Sequence, residues 1–249
     1  MLVEICTYSL ESCLTAQRAG AHRVELCSSV SEGGLTPSAG LIQQARRHLH
    51  ISLYVMVRPR GGDFLYSETE MAVMQADIAL SKTLGADGIV LGLLRADGTV
   101  DEDRTRQLVE LASPLPVTFH RAFDMTPDPL EALEAVIRTG ATTLLTSGQQ
   151  PSVELGIELL GQLADRANDR IAIMAGAGVS RSNAPQLARA GVQAIHLSGK
   201  ISQASPMLFR RAGLSMASAT LGEYERIESD ETIIRAVIDS VKQQSLTDR

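Results

Sequence analysis

The sequence predicts an α/β fold, a single-domain (β/α)8 TIM barrel, and three observations carry that expectation. Eight short β-rich runs alternate with segments of helical apolar spacing. Four helix-to-strand junctions repeat one glycine-containing pattern, and no linker-like stretch divides the chain. An open, doubly wound sheet is the competing arrangement. It would carry a nucleotide-binding fingerprint after its first strand, and Thr7-Tyr8-Ser9-Leu10 stands there instead.

Strands are expected near Leu2–Thr7, Arg23–Cys27, Ile51–Arg58, Gly88–Leu93, Val117–Arg121, Thr143–Thr146, Ile171–Ala175 and Ala194–Ser198. Between them, Met71, Met74 and Ile78 form one helical stripe, Leu130, Leu133 and Ile137 a second, and Ile157, Leu160 and Ala164 a third. Thr36-Pro37 and Asp128-Pro129 read as a cap followed by proline in the first turn, and Ser67 with Glu70 reads as a capping box. Gly20, Gly85, Gly140 and Gly191 each stand just after a helix and just before a strand, where the chain needs a left-handed residue. Residues 1–199 thus hold the eight βα units. The long connection 200–229 is expected to lie over the barrel mouth, and 230–244 to form a closing helix.

Of the 249 residues 44% are hydrophobic and 21% charged, which places the chain among globular proteins and excludes disorder. With 3% aromatics and no Trp, the core is expected to be aliphatic. The few aromatics present, Tyr8, Phe64, Tyr66, Phe123, Phe209 and Tyr224, are expected to wall the mouth. A net charge of −6 without a basic run argues against nucleic acid or an anionic lipid surface as partner. No apolar run is long enough for a membrane span, and the first residues lack the charged and apolar regions of a secretory signal. Three cysteines make a poor disulfide framework, so a reducing, cytoplasmic setting is expected.

The chemistry is expected on the inward faces of the strands. Alternation turns Val3 and Ile5 outward and leaves Glu4 and Cys6 inward; Glu25 and Cys27 repeat the arrangement on the next strand. Met56 and Arg58, Thr118 and His120, and His196 and Ser198 follow on other strands. Glu4, Glu25 and His120 are the candidate acid–base residues, since barrel active sites sit at the C-terminal mouth. The alternative is a structural plug in which Arg58 neutralises Glu4 and Glu25. Cys6 and Cys27 face one another across adjacent strands, with Met56 and His120 nearby, a soft donor set of the kind that suits Cu(I). Arg58 and Arg60 beside two glycines, Gly176 and Gly178 after the seventh strand, and Ser198-Gly199-Lys200 after the eighth are the candidate anion-binding residues. Glu32 either faces the pocket or stays solvated, and Cys13, with Leu10 and Leu14 on a helix, is expected in the core.

Val3-Glu4-Ile5-Cys6, Val24-Glu25-Leu26-Cys27 running to Glu32-Gly33-Gly34-Leu35-Thr36-Pro37-Ser38, Val57-Arg58-Pro59-Arg60-Gly61-Gly62-Asp63-Phe64, Thr118-Phe119-His120-Arg121-Ala122-Phe123-Asp124 and Leu145-Thr146-Ser147-Gly148 together resemble the CutC family. The likeness spans the whole barrel. One departure is Gly176-Ala177-Gly178, where the family has a run of glycines. The resemblance implies a TIM barrel in the cytoplasm, a role in copper homeostasis with copper binding, and self-association as a dimer. It maps the family's cysteines onto Cys6 and Cys27 as Cu(I) ligands, and it implies no particular reaction. Two readings therefore stand side by side: a Cu(I)-binding protein, or an enzyme acting on a small phosphorylated or otherwise anionic metabolite.

Overall fold

Eight strands hydrogen-bond in parallel and in chain order, and the eighth closes on the first. The structure is a computed structural model and describes residues 1–214, 216 and 222–247. The strands are β1 (Leu2–Thr7), β2 (Arg23–Leu26), β3 (Ser52–Met56), β4 (Gly88–Leu91), β5 (Val117–Phe119), β6 (Thr143–Thr146), β7 (Ala172–Gly176) and β8 (Ala194–Leu197). The helices between them are α1 (Leu10–Ala19), α2 (Ala39–His48), α3 (Glu68–Thr83), α4 (Glu102–Ala112), α5 (Pro129–Arg138), α6 (Ile157–Ala167) and α7 (Ala184–Arg189). All eight expected strands are present, and the barrel is the expected TIM type. Several end earlier than the apolar runs that announced them, because Val57, Arg58, His120 and Ser198 already belong to the loops of the mouth.

The four junction glycines all adopt left-handed backbone: φ is 90° at Gly20, 86° at Gly85, 86° at Gly140 and 85° at Gly191. Asp128 caps α5 through two backbone N–H groups ahead of Pro129, and Ser67 with Glu70 forms the capping box of α3. Two local expectations shift. The cap of α2 is Ser38 rather than Thr36, because Pro37 sits outside the helix and the Ser38 hydroxyl accepts from Leu41 N. On α5 the buried face is Ala132, Leu133, Ala135 and Val136, which leaves Leu130 exposed.

Outward strand residues such as Val3, Ile5, Val24 and Leu26 pack against the helices in one aliphatic layer. Inside the barrel, Leu2, Leu145, Met174 and Ala194 make an apolar floor. Above it the stagger sets Glu4 level with Arg23 on one side and His196 on the other, and Cys6 level with Glu25. Every functional side chain described below stands on this ladder or in the loops directly above it.

The connection 200–229 forms an antiparallel ribbon, β9 (Lys200–Ala204) with β10 (Glu225–Ser229), leading into α8 (Glu231–Thr247). The ribbon leans on α1, where the Glu228 carboxylate accepts from the Ser9 and Ser12 hydroxyls at 2.7 Å each. Among its described residues only Lys200 lines the mouth cavity. Residues 215 and 217–221 of that connection lie outside the described set. No helix among the described residues is long and apolar enough to cross a membrane.

Candidate functional site

The base of the site is a buried ion pair. Arg23 Nε donates to Glu4 Oε2 at 2.5 Å, and its guanidinium stacks over the Tyr54 ring with Cζ 4.1 Å from the ring centre. Gly88 makes this possible, since a Cβ there would come within 2.5 Å of the Tyr54 ring. The other Glu4 oxygen lies 2.7 Å from His196 Nδ1. Burial works to raise the Glu4 carboxyl, but the His196 hydrogen bond and the Arg23 charge outweigh it and hold the group below its ordinary range. Arg23, not Arg58, therefore satisfies Glu4. With both oxygens committed beneath the cavity, Glu4 positions His196 rather than meeting a ligand. Sequence reasoning passed over Arg23, although its inward parity with Glu25 and Cys27 was there to count.

Above His196 sits the donor cluster. With Nδ1 turned to Glu4, Nε2 faces Glu25 Oε2 at 3.9 Å. One ligand atom each of Cys6, Glu25 and His196 lies within 4.8 Å of the others. Cys27 Sγ is 3.9 Å from Cys6 Sγ and 3.5 Å from Glu25 Oε2. A hydrogen bond from Cys27, set against burial and reinforced by His196, takes the Cys6 thiol well below its usual range. Burial, then the neighbouring Cys6, push Cys27 and Glu25 well above theirs. Burial disfavours the His196 cation, yet the charges of Glu25 and Glu4 and a bond to Cys6 lift it well above an ordinary imidazole. Of the two sulfurs Cys6 is therefore the one favoured as thiolate, and it stands beside an imidazole whose protonated form its neighbours favour.

This donor set fits a soft metal ion. Cys6 and Cys27, with sulfurs 3.9 Å apart, would hold such an ion and supply it with soft thiolate donors. The Met56 thioether packs in the same small apolar cluster as the two cysteines. A carboxylate behind the imidazole is the usual way to fix the tautomer of a ligating histidine. Glu25 Oε1 is buried and without a hydrogen-bond partner, so part of the cluster is unsatisfied. Neither His120 nor Cys27 belongs to the group of three formed by Cys6, Glu25 and His196, but the Cys27 sulfur lies beside two of its members.

A cavity of about 480 Å³ opens over the cluster. Its walls include Cys6, Tyr8, Glu25, Met56, Arg58 and His120. The Arg58 guanidinium is braced by the carbonyls of Glu32 (2.5 Å), Gly34 (3.1 Å) and Gly62 (2.8 Å), and its Nε has no partner. His120 Nδ1 accepts from Ala122 N at 3.1 Å. Burial and the Arg58 charge lower its imidazole to about 3, so it stays neutral with the proton on Nε2, which also has no partner. Gly92 makes room for this ring, because a Cβ there would come within 2.4 Å of His120 Nδ1.

The expected anion-binding residues divide. Arg58, Gly178, Ser198, Gly199 and Lys200 line the cavity. Arg60 points away from it and pairs with Glu70 at 2.5 Å and Asp63 at 2.9 Å, which ties the loop to the start of α3. Gly176 serves packing, since a Cβ there would meet Leu145 at 2.6 Å and His196 at 3.3 Å. Of the aromatics only Tyr8 and Phe64 reach the cavity; Tyr66 and Phe123 are buried in the helix-facing layers, and Phe209 is exposed. Asp124 knits the neighbouring loops by accepting from the Thr146 and Ser147 hydroxyls. That role was not legible from its place in the sequence.

Comparison with known proteins agrees with the barrel fold. The CutC family pattern matches residues 1–201. A family protein CutC of Chromobacterium violaceum is 48% identical over 241 residues, 96% of this chain and 98% of that protein. A mouse protein named copper homeostasis protein cutC homolog is 45% identical over 238 residues, 95% of this chain and 88% of its own. A solved CutC structure from Streptococcus agalactiae superposes with a TM-score of 0.75 at 36% identity, covering 80% of this chain and 98% of that one. With the barrel, the paired Glu-x-Cys strands and these identities in hand, the chain belongs to the CutC family.

Proposed function

We propose that the protein binds Cu(I) at the barrel mouth as its part in copper homeostasis. The sulfur ligands are Cys6 and Cys27, and the nitrogen ligand is His196 Nε2. One observation carries the reading: the Cys6 sulfur and an imidazole whose far nitrogen is held by Glu4 converge at the base of one cavity, with the Cys27 sulfur 3.9 Å from that of Cys6. The name carried by the mouse relative supports the same role, and three free cysteines among the described residues suit a reducing cytoplasm.

Anaerobic titration of the reduced protein with Cu(I), against a competing chelator, tests it. One tight equivalent is expected. Cys6→Ser or Cys27→Ser is expected to weaken it by more than about 100-fold, beyond the loss that follows from removing an outer partner of a ligand. Cys13→Ser is expected to bind as the parent does, because Cys13 faces the Thr7 hydroxyl on the helix side of β1. Unchanged affinity in Cys6→Ser overturns the assignment.

A further inference from the structure

Among the described residues, three of the buried side-chain atoms without a hydrogen-bond partner belong to residues of the same cavity: Glu25 Oε1, Arg58 Nε and His120 Nε2. Two of them are donors. Arg58 and His120 are 7% and 4% exposed, and both pack on Phe64, with Arg58 Cζ 5.0 Å and the His120 ring centre 5.1 Å from its ring. The Tyr66 hydroxyl, buried and itself without a partner, lies beside the same guanidinium. The three loop carbonyls pin the guanidinium, and the Ala122 N–H fixes His120 as the Nε2–H tautomer. Buried donors kept in place without acceptors carry a desolvation cost that an incoming acceptor relieves.

We propose that this wall is an oxyanion-binding site, in which Arg58 Nε–H and His120 Nε2–H together hold the carboxylate or phosphate oxygens of a small metabolite. The cavity is of a size that accepts such a molecule. Arg58 supplies the charge. His120 supplies a neutral, fixed donor, which Arg58 and burial keep from becoming a second cation. The opposite wall, from Gly178 and the Ser198–Lys200 loop, stands where barrels commonly hold the remainder of an anionic ligand. This site is separate from copper binding in its residues, and it gives His120 the role of hydrogen-bond donor instead of acid or base.

The test uses reduced, metal-free full-length protein and four probes: inorganic phosphate, pyruvate, malonate, and neutral malonamide as control. Thermal shift and ¹⁵N-edited NMR of the His120 imidazole are read together. At least one anionic probe is expected to raise Tm and move the His120 Nε2 resonance, with malonamide doing neither. A response to phosphate alone identifies phosphate monoesters as the ligand class; a response to pyruvate or malonate identifies organic acids. His120→Phe is expected to weaken the responding probe about tenfold or more, the loss of one hydrogen bond to a charged acceptor. Arg58→Lys, which keeps the charge but not the fork, is expected to weaken it as well. The NMR readout needs no variant, so it stands even if a substitution unfolds the loop. If no anionic probe moves the His120 resonance, or if His120→Phe binds like the parent, the proposal is overturned.

Discussion

His196 is the residue through which the buried and the open halves of the barrel communicate. Its Nδ1 is held by Glu4, Glu4 is held by Arg23, and only Nε2 remains to face Cys6 and Glu25. Glu4→Gln is therefore expected to weaken Cu(I) about 10- to 100-fold without touching a ligand. The same change leaves Arg23 without its counter-charge, so a loss of about 3–5 kcal/mol is expected in urea unfolding. His120 makes a separate prediction about pH. Its imidazole lies near 6.5 when unfolded and about 3 when folded, so between those values the unfolded chain binds more protons. Its contribution is complete above pH 6.5 and is lost as the pH falls toward 3, by up to about 1.4 kcal/mol per pH unit. Urea midpoints from pH 7 to pH 4 should fall less steeply in His120→Asn than in the parent; equal slopes would contradict the neutral His120. Strand parity made Glu4, Glu25, Cys6 and Cys27 legible from sequence. Which cation met which carboxylate was not, because that depends on the stagger between strands, which alternation along one strand does not specify.

At the level of elements, local chemistry decides where helices start and stop. Asp128 ahead of Pro129, and Ser67 with Glu70, satisfy N–H groups that have no partner within the helix, and both were readable as spacing. The left-handed glycines end helices at four equivalent places around the barrel. Gly20 isolates the effect, because a Cβ there meets nothing within 4 Å and φ is +90°. Gly20→Ala is thus expected to cost about 1–2 kcal/mol through backbone strain alone, read as a lower urea midpoint with unchanged slope. The departures on α2 and α5 are local. Pro37 terminates the preceding loop before Ser38 takes the cap, and α5 buries Ala132, Leu133, Ala135 and Val136 while Leu130 in its first turn stays exposed. Periodicity locates a helix more surely than it locates the helix's inner face.

For the whole molecule, closure of β8 on β1 is what builds the site, since it brings His196 from the end of the barrel beside Glu4 and Cys6 from its start. The closing helix secures that seam. Ile234, Val237, Ile238 and Val241 of α8 are almost completely buried, and α8 packs on α1 and α7. At about 1.5–3 kcal/mol for each such side chain, their burial is comparable with the entire stability of an ordinary domain. Removing the chain beyond residue 230 is therefore expected to abolish cooperative unfolding by circular dichroism, and a normal transition would contradict this. The eight-unit barrel was readable because repeated units restate one local rule. The ribbon of β9 and β10 was not, because Glu228 and Ser12 come together only through the fold. Copper K-edge absorption of the Cu(I)-loaded, reduced protein reads the ligand atoms themselves. Sulfur scattering together with an imidazole contribution is expected, the sulfur signal diminished in Cys6→Ser. A spectrum of oxygen and nitrogen ligands only, or one identical in Cys6→Ser, would contradict this ligand set.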